Sequence, residues 1–152
     1  TGEWGRTAAA LRLFEAEETE RANDLFRFTP RVAAGRVLAG RASAMMDSSD
    51  GLARSLHQLA EASEAGFAVE RDALPVHPAA EEVAADATER FELAAHFGED
   101  FELVFTAPER ALDAVRERSP TTITRIGTVE PPETGVTADG EPLPDRGFTH
   151  GA

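Results

Sequence analysis

Across residues 7–26 the apolar positions Ala8, Leu11 and Phe14, then Ala22, Leu25 and Phe26, recur at the three-to-four spacing of one helix face. An acidic stretch at 15–20 interrupts that stripe, so the spacing predicts two helices or one bent helix. Thr29-Pro30 opens a second helical segment with Val32, Ala33, Val37 and Leu38 on its apolar side, and Gly40 ends it. Residues 43–47 read as a short buried strand. Ser48-Ser49-Asp50-Gly51 then turns into a helix striped by Leu52, Leu56, Leu59 and Ala60 that ends near Gly66. Residues 67–71 alternate as extended chain, Leu74-Pro75 breaks it, and one long helix is expected from Pro78 through Val83, Ala84, Ala87, Phe91 and Leu93, stopped by Gly98. Residues 101–106 form the clearest strand, with Phe101, Leu103 and Phe105 on one face. Pro108 starts a helix carrying Leu112 and Val115, and residues 123–129 give another strand. Asp139-Gly140, flanked by Val136 and Leu143, is a hairpin signal. Strands separated by helices, with adjacent strands late in the chain, predict an α+β domain: a mixed sheet covered by helices.

Two places in this pattern carry more polar chemistry than a fold needs. The first is Asp47-Ser48-Ser49-Asp50-Gly51, which sets two carboxylates and two hydroxyls between the end of a strand and the start of a helix. Free N–H groups and the helix dipole favour phosphate oxygens there, and carboxylates suit magnesium. Ser49 or Asp50 acting only as a helix cap explains part of the pattern. Asp47 and Ser48 are surplus to a single cap. The second place is Gly98-Glu99-Asp100, an acidic pair between a helix stop and an apolar strand, for which a solvated loop is the plain alternative.

Composition narrows the chemistry. The 28 acidic residues outnumber 15 basic ones for a net charge of −13, and every basic residue is arginine. A surface so acidic repels nucleic acid and anionic membranes, which speaks against both as partners. The missing lysine rules out a P-loop and Schiff-base chemistry. Absent cysteine removes disulfides and thiolate metal sites, and His57, His77, His96 and His150 are too scattered to read as a metal cluster. There is no Gly-x-Ser-x-Gly elbow. The charge balance suits a salt-adapted protein, because molar salt shortens the Debye length to about 3 Å and screens self-repulsion. No run of 18 apolar residues is present and the first residues lack the pattern of a signal peptide, so the chain reads as soluble and cytoplasmic.

Asp47-Ser48-Ser49-Asp50-Gly51-Leu52 resembles the Asp-x-Ser-Asp-Gly-Leu motif of thiamine-monophosphate kinases, and Gly98-Glu99-Asp100-Phe101-Glu102-Leu103 resembles their Gly-Glu-Asp-Tyr-Glu-Leu motif. Pro30-Arg31-Val32 with Gly35, Leu59-Ala60-Glu61-Ala62-Ser63, and Gly147-Phe148-Thr149-His150 are similar to further family motifs, so the resemblance spans nearly the whole chain. It implies the fold of the carboxy-terminal domain of the aminoimidazole ribonucleotide synthetase superfamily, and transfer of the γ-phosphoryl group of ATP to thiamine monophosphate. By position it makes Asp47 and Asp50 ligands of Mg2+, Ser49 a contact to ATP phosphates, and Glu99 with Phe148 the residues that hold the thiamine moiety. Phe101 stands where the family usually has tyrosine and Phe148 where tryptophan or tyrosine is common, removing a hydrogen bond at each place. The resemblance further implies that residues 1–152 are a single domain and that an amino-terminal domain with further magnesium and ATP contacts lies outside them. It also implies a homodimer when full length. Another ATP-using member of the superfamily, or a non-catalytic acidic module, is the alternative.

Overall fold

The computed structural model describes residues 1–147. Two helices, α1 (Arg6–Glu15) and α2 (Thr19–Phe26), occupy the interrupted stripe, with Glu17 at φ 66° making the break between them. Helix α3 (Val32–Leu38) follows, then strand β1 (Ala44–Ser48) and helix α4 (Leu52–Ser63), whose end is the left-handed Glu64. Strand β2 (Gly66–Val69) leads through one tight turn to α5 (Pro78–Val83) and α6 (Ala87–Ala95). The single long helix expected from Pro78 is therefore two. Ala84 turns extended, and Asp86 accepts a hydrogen bond from the Glu89 N–H at 2.9 Å, the geometry of a fresh N-cap that outweighs the continuous apolar spacing.

Strand β3 (Glu102–Thr106) and helix α7 (Glu109–Arg118) come next. Phe101 is excluded from the strand, because its φ of 53° is left-handed and cannot continue an extended ladder. Only the second half of the 123–129 prediction is strand, as β4 (Gly127–Glu130); Ile123 is instead buried against Leu38 and Val115. The hairpin is present as β5 (Val136–Ala138) and β6 (Glu141–Pro142), with Asp139 and Gly140 both at positive φ.

The strands form two sheets. β1 and β3 make an antiparallel ribbon, and β4-β2-β5-β6 make a mixed four-stranded sheet in which only the β2–β5 pairing is parallel. The main core lies between them. Leu52, Leu56 and Leu59 on α4 meet Phe67 and Val69 of β2, Phe91 of α6, Val104 of β3 and Val136 of β5, with Trp4 buried among them. The opposite face of the ribbon, through Leu103 and Phe105, packs on a second cluster of Leu38, Val115 and Ile123. Burying a side chain of this size stabilises by about 1.5–3 kcal/mol, so the ribbon is held on both faces and its end is a fixed platform. Among the described residues no helix is long and apolar enough to cross a membrane.

Candidate functional site

Strand β1 ends at Ser48, and its register with β3 pairs Asp47 with Leu103 and Ser48 with Glu102. Side chains alternate across the ribbon, so Ser48 and Glu102 point with Val104 toward the core while Asp47 takes the other face and is exposed. The chain then passes through Ser49 and Asp50, both half-buried, to Gly51 at φ 107°. A Cβ on Gly51 would stand 3.0 Å from the His96 carbonyl oxygen, so both the backbone conformation and the space require glycine here. Gly51 is the N-cap of α4, and among the described residues no side chain caps that helix. Ser49 and Asp50 are thus not consumed as helix caps.

The turn before β3 is bonded to the same place. The Glu99 N–H donates to the Ser49 carbonyl at 2.6 Å and the Phe101 N–H to the Ser48 carbonyl at 3.2 Å. Gly98 has no room for a Cβ, which would run into the Ser49 carbonyl and the Asp50 backbone. The two motifs, 47 to 52 and 98 to 103, therefore form one surface although some fifty residues separate them in sequence. Segment 143–147 closes a third side. His57 Nε2 lies 2.8 Å from the Leu143 carbonyl, Asp145 pairs with Arg54 at 2.5 Å, Arg146 pairs with Glu92 at 2.9 Å, and Gly147 packs against Asp50 and Arg54. Phe148 lies outside the described residues.

Around this surface sit further polar groups that sequence reasoning left without a role. Asp100 is 3% exposed; its carboxylate accepts from the Gly5 N–H at 2.6 Å and the Thr7 N–H at 2.9 Å, capping α1 from across the fold. Burial pushes its pKa up, against the opposing pull of those N–H bonds and of Arg6. Glu102, 2% exposed, accepts a two-pronged contact from Arg31, Nε to Oε2 at 2.8 Å and Nη2 to Oε1 at 2.5 Å, and the Thr1 hydroxyl adds a third bond at 2.7 Å. That contact raises the Arg31 pKa, through hydrogen bonding to Glu102 first. The strand alternation already placed Glu102 on the side away from Leu103 and Phe105, where a carboxylate needs a partner; nothing local named Arg31 as that partner.

Glu99 and Phe101, on either side of Asp100, have φ of 65° and 53°. Left-handed backbone costs a non-glycine residue about 1–2 kcal/mol, so the surrounding structure must hold both. Phe101 also stacks on Phe28 with ring centres 4.7 Å apart, and the Arg6 guanidinium lies over the Phe28 ring. Glu99 itself is exposed.

Asp47 and Asp50 offer hard oxygen ligands of the kind magnesium takes. Among the described residues no group of three or more acidic or histidine side chains is arranged to hold a metal, so these two would be part of a larger ligand set. The apolar cavity of about 330 Å³ lies elsewhere, between β3 and β4 beside Trp4, Phe67 and Phe105, and contains none of Asp47, Ser49, Asp50 or Glu99. The candidate site is the open surface at the β1–α4 turn.

Fold and site together define an α+β domain whose ribbon ends in a hydroxyl- and carboxylate-bearing turn at an uncapped helix start. By sequence the chain belongs to the family described as AIR synthase related protein, C-terminal domain, whose model matches residues 2–139. It is 55% identical over 150 residues to a thiamine-monophosphate kinase of Halobacterium salinarum, covering 99% of this chain and 51% of that protein. It is 36% identical to the Salmonella typhimurium thiamine-monophosphate kinase, covering 99% and 50%. Among solved structures it resembles a thiamine-monophosphate kinase of Stenotrophomonas maltophilia (TM-score 0.81, 34% identity, 92% of this chain and 48% of that one). It also resembles AaThiL complexed with AMPPCP and TMP (TM-score 0.80, 29% identity, 99% and 49%). The chain spans about half the length of the relatives it matches.

Proposed function

We propose that this domain forms part of a thiamine-monophosphate kinase, in which it helps transfer the γ-phosphoryl group of ATP to thiamine monophosphate. The observation that carries the reading is the surface where the turn at 47–51 and the turn at 98–101 are hydrogen-bonded together while Ser49 and Asp50 are free of capping duty. Phosphoryl transfer needs positioning and charge neutralisation more than a covalent nucleophile, and this surface supplies oxygen ligands and a helix start, with no lysine. In the proposal Asp47 and Asp50 are ligands of Mg2+, which when bound neutralises phosphate charge, and Ser49 contacts ATP phosphates. Glu99 and Phe148 hold the cationic thiamine moiety, and the remaining ligands come from parts of the protein outside these residues. The names of the relatives, and the AMPPCP and TMP in one similar structure, support the choice of ATP and thiamine monophosphate. A cytoplasmic homodimer in a salt-adapted cell belongs to the same proposal; the acidic surface and the Halobacterium relative support the salt adaptation.

The test is the Michaelis constant for each substrate in the full-length protein. Glu99→Gln removes a charge-assisted contact, and the constant for thiamine monophosphate should rise about tenfold or more. The constant for ATP should stay near wild type. A rise in the ATP constant alone would reassign Glu99, and a wild-type protein that phosphorylates no thiamine monophosphate would end the reading.

A further inference from the structure

The turn at 98–101 divides its labour between neighbours. Glu99 is exposed, while Asp100 is almost wholly buried and bonded to another element. Both flanking residues hold positive φ, which neither Glu nor Phe prefers, so the turn relaxes toward extended backbone unless something outside it resists. Two elements do so. On one side the Glu99 and Phe101 N–H groups bond to the Ser49 and Ser48 carbonyls. On the other, the Asp100 carboxylate bridges the Gly5 and Thr7 N–H groups, the Thr7 hydroxyl donates to the Glu99 carbonyl at 2.8 Å, and Arg6 Nη2 reaches the Asp100 carbonyl at 3.4 Å. Polar bonds make the clamp on the α1 side; the Phe101 ring is occupied with Phe28.

We propose that Asp100 is a positioning residue for the acceptor substrate: by tying the turn to the start of α1 it holds Glu99 in the left-handed conformation in which its N–H bonds the Ser49 carbonyl and its side chain is exposed beside that turn. Asp100 touches no substrate, and it acts only through Glu99. The inference rests on the proposed role of Glu99 toward thiamine monophosphate. It goes further in predicting which kinetic constant responds when a buried residue on the far side of the turn is changed. Asp47 and Asp50 have independent anchors in the β1–β3 ribbon and the start of α4, whereas Glu99 has only its turn, so loosening the α1 clamp disturbs Glu99 more than them.

The experiment uses the full-length kinase with Asp100→Asn and, separately, Thr7→Val. Asn can accept only one of the two N–H bonds, so Asp100→Asn leaves a buried donor unpaired. Thr7→Val deletes the hydroxyl that donates to the Glu99 carbonyl at nearly constant shape and keeps the Thr7 N–H bond to Asp100. Expected is a rise of about tenfold or more in the Michaelis constant for thiamine monophosphate in Asp100→Asn and about threefold in Thr7→Val, the scale of one lost hydrogen bond. The constant for ATP should move less than about twofold in both, because the ribbon that carries the phosphate side is unchanged. A merely structural Asp100 would lower the folded fraction and the turnover number while leaving both constants alone, and that result overturns the proposal. Equal rises in both constants overturn it too. If Asp100→Asn fails to fold, Thr7→Val decides: an unchanged constant for thiamine monophosphate refutes the clamp. Failure of the underlying kinase reading is distinguishable, since then wild type itself turns over no thiamine monophosphate.

Discussion

Asp47 near the end of β1 and Ser49 and Asp50 in the turn after it lie close in sequence, yet their surroundings differ in a way that single substitutions can read. Gly51 occupies the N-cap with no side-chain bond to the helix, so the carboxylate of Asp50 contributes little to holding α4. In the full-length protein, Asp50→Asn keeps volume and polarity and removes only charge. The expected outcome is a melting midpoint within the small range of a surface change, about 0.5 kcal/mol, and a turnover number lower by about a hundredfold or more, the scale of losing one preorganised charge-stabilising group. Calorimetry beside steady-state kinetics checks it. Loss of stability with retained turnover would return Asp50 to a structural role. His96 illustrates the opposite type of residue at the same site: burial lowers its pKa, and its Nδ1 lies 3.2 Å from the Arg146 carbonyl, which makes it part of the support under Gly51 and the 143–147 segment.

At the scale of elements, the ribbon of β1 and β3 is the piece that turns two separate motifs into one surface, and Arg31 pins the chain just before α3 to it through Glu102. Breaking a buried pair by removing one partner leaves an uncompensated charge, so Arg31→Ala should lower stability by about 3 kcal/mol, the low end of the usual range because Arg31 is partly exposed. Arg31→Lys should lose part of this, since a single ammonium cannot reproduce the fork. Chemical denaturation of the domain measures both. A change below about 1 kcal/mol for Arg31→Ala would place this pair among the exposed bridges that contribute little. The splitting of the expected long helix into α5 and α6 belongs to this scale too. Apolar spacing continued across residues 84–86, but the cap formed by Asp86 on Glu89 and the extended Ala84 won locally.

Across the whole molecule, charge outweighs any single contact. A net charge of −13 on 152 residues repels itself in dilute buffer, and the exposed ion pairs formed by the arginines offset only part of that. Raising potassium chloride from about 0.1 M to the molar range shortens the Debye length from about 10 Å to about 3 Å, so the melting midpoint should rise. Each kcal/mol of relieved repulsion is worth about 2–4 °C for a chain of this size, and a shift of that order or more is expected. A thermal melt at both salt concentrations tests it, and a lower midpoint in molar salt would contradict the reading of the acidic surface as salt adaptation.

Legible in the amino-acid order alone were the local features: the stripe of Leu52, Leu56 and Leu59, the strand that becomes β1, the tight hairpin at Asp139-Gly140, and the crowding of oxygen ligands at 47–50. Each is written within a window of a dozen residues, where periodicity and turn chemistry suffice. It took folding to pair β1 with β3 and so bring Glu99 to Ser49, to give Glu102 its partner Arg31, and to make Asp100 cap a helix whose N-cap, Gly5, lies 95 residues earlier in the chain. Folding also moved Phe101 out of the strand its alternation predicted, because stacking on Phe28, the Phe101 N–H bond to the Ser48 carbonyl and the anchoring of neighbouring Asp100 on α1 hold a backbone that no local preference of phenylalanine selects. The physical reason is that burial and left-handed φ are set by the neighbours folding supplies, and those neighbours lie many tens of residues away along the chain.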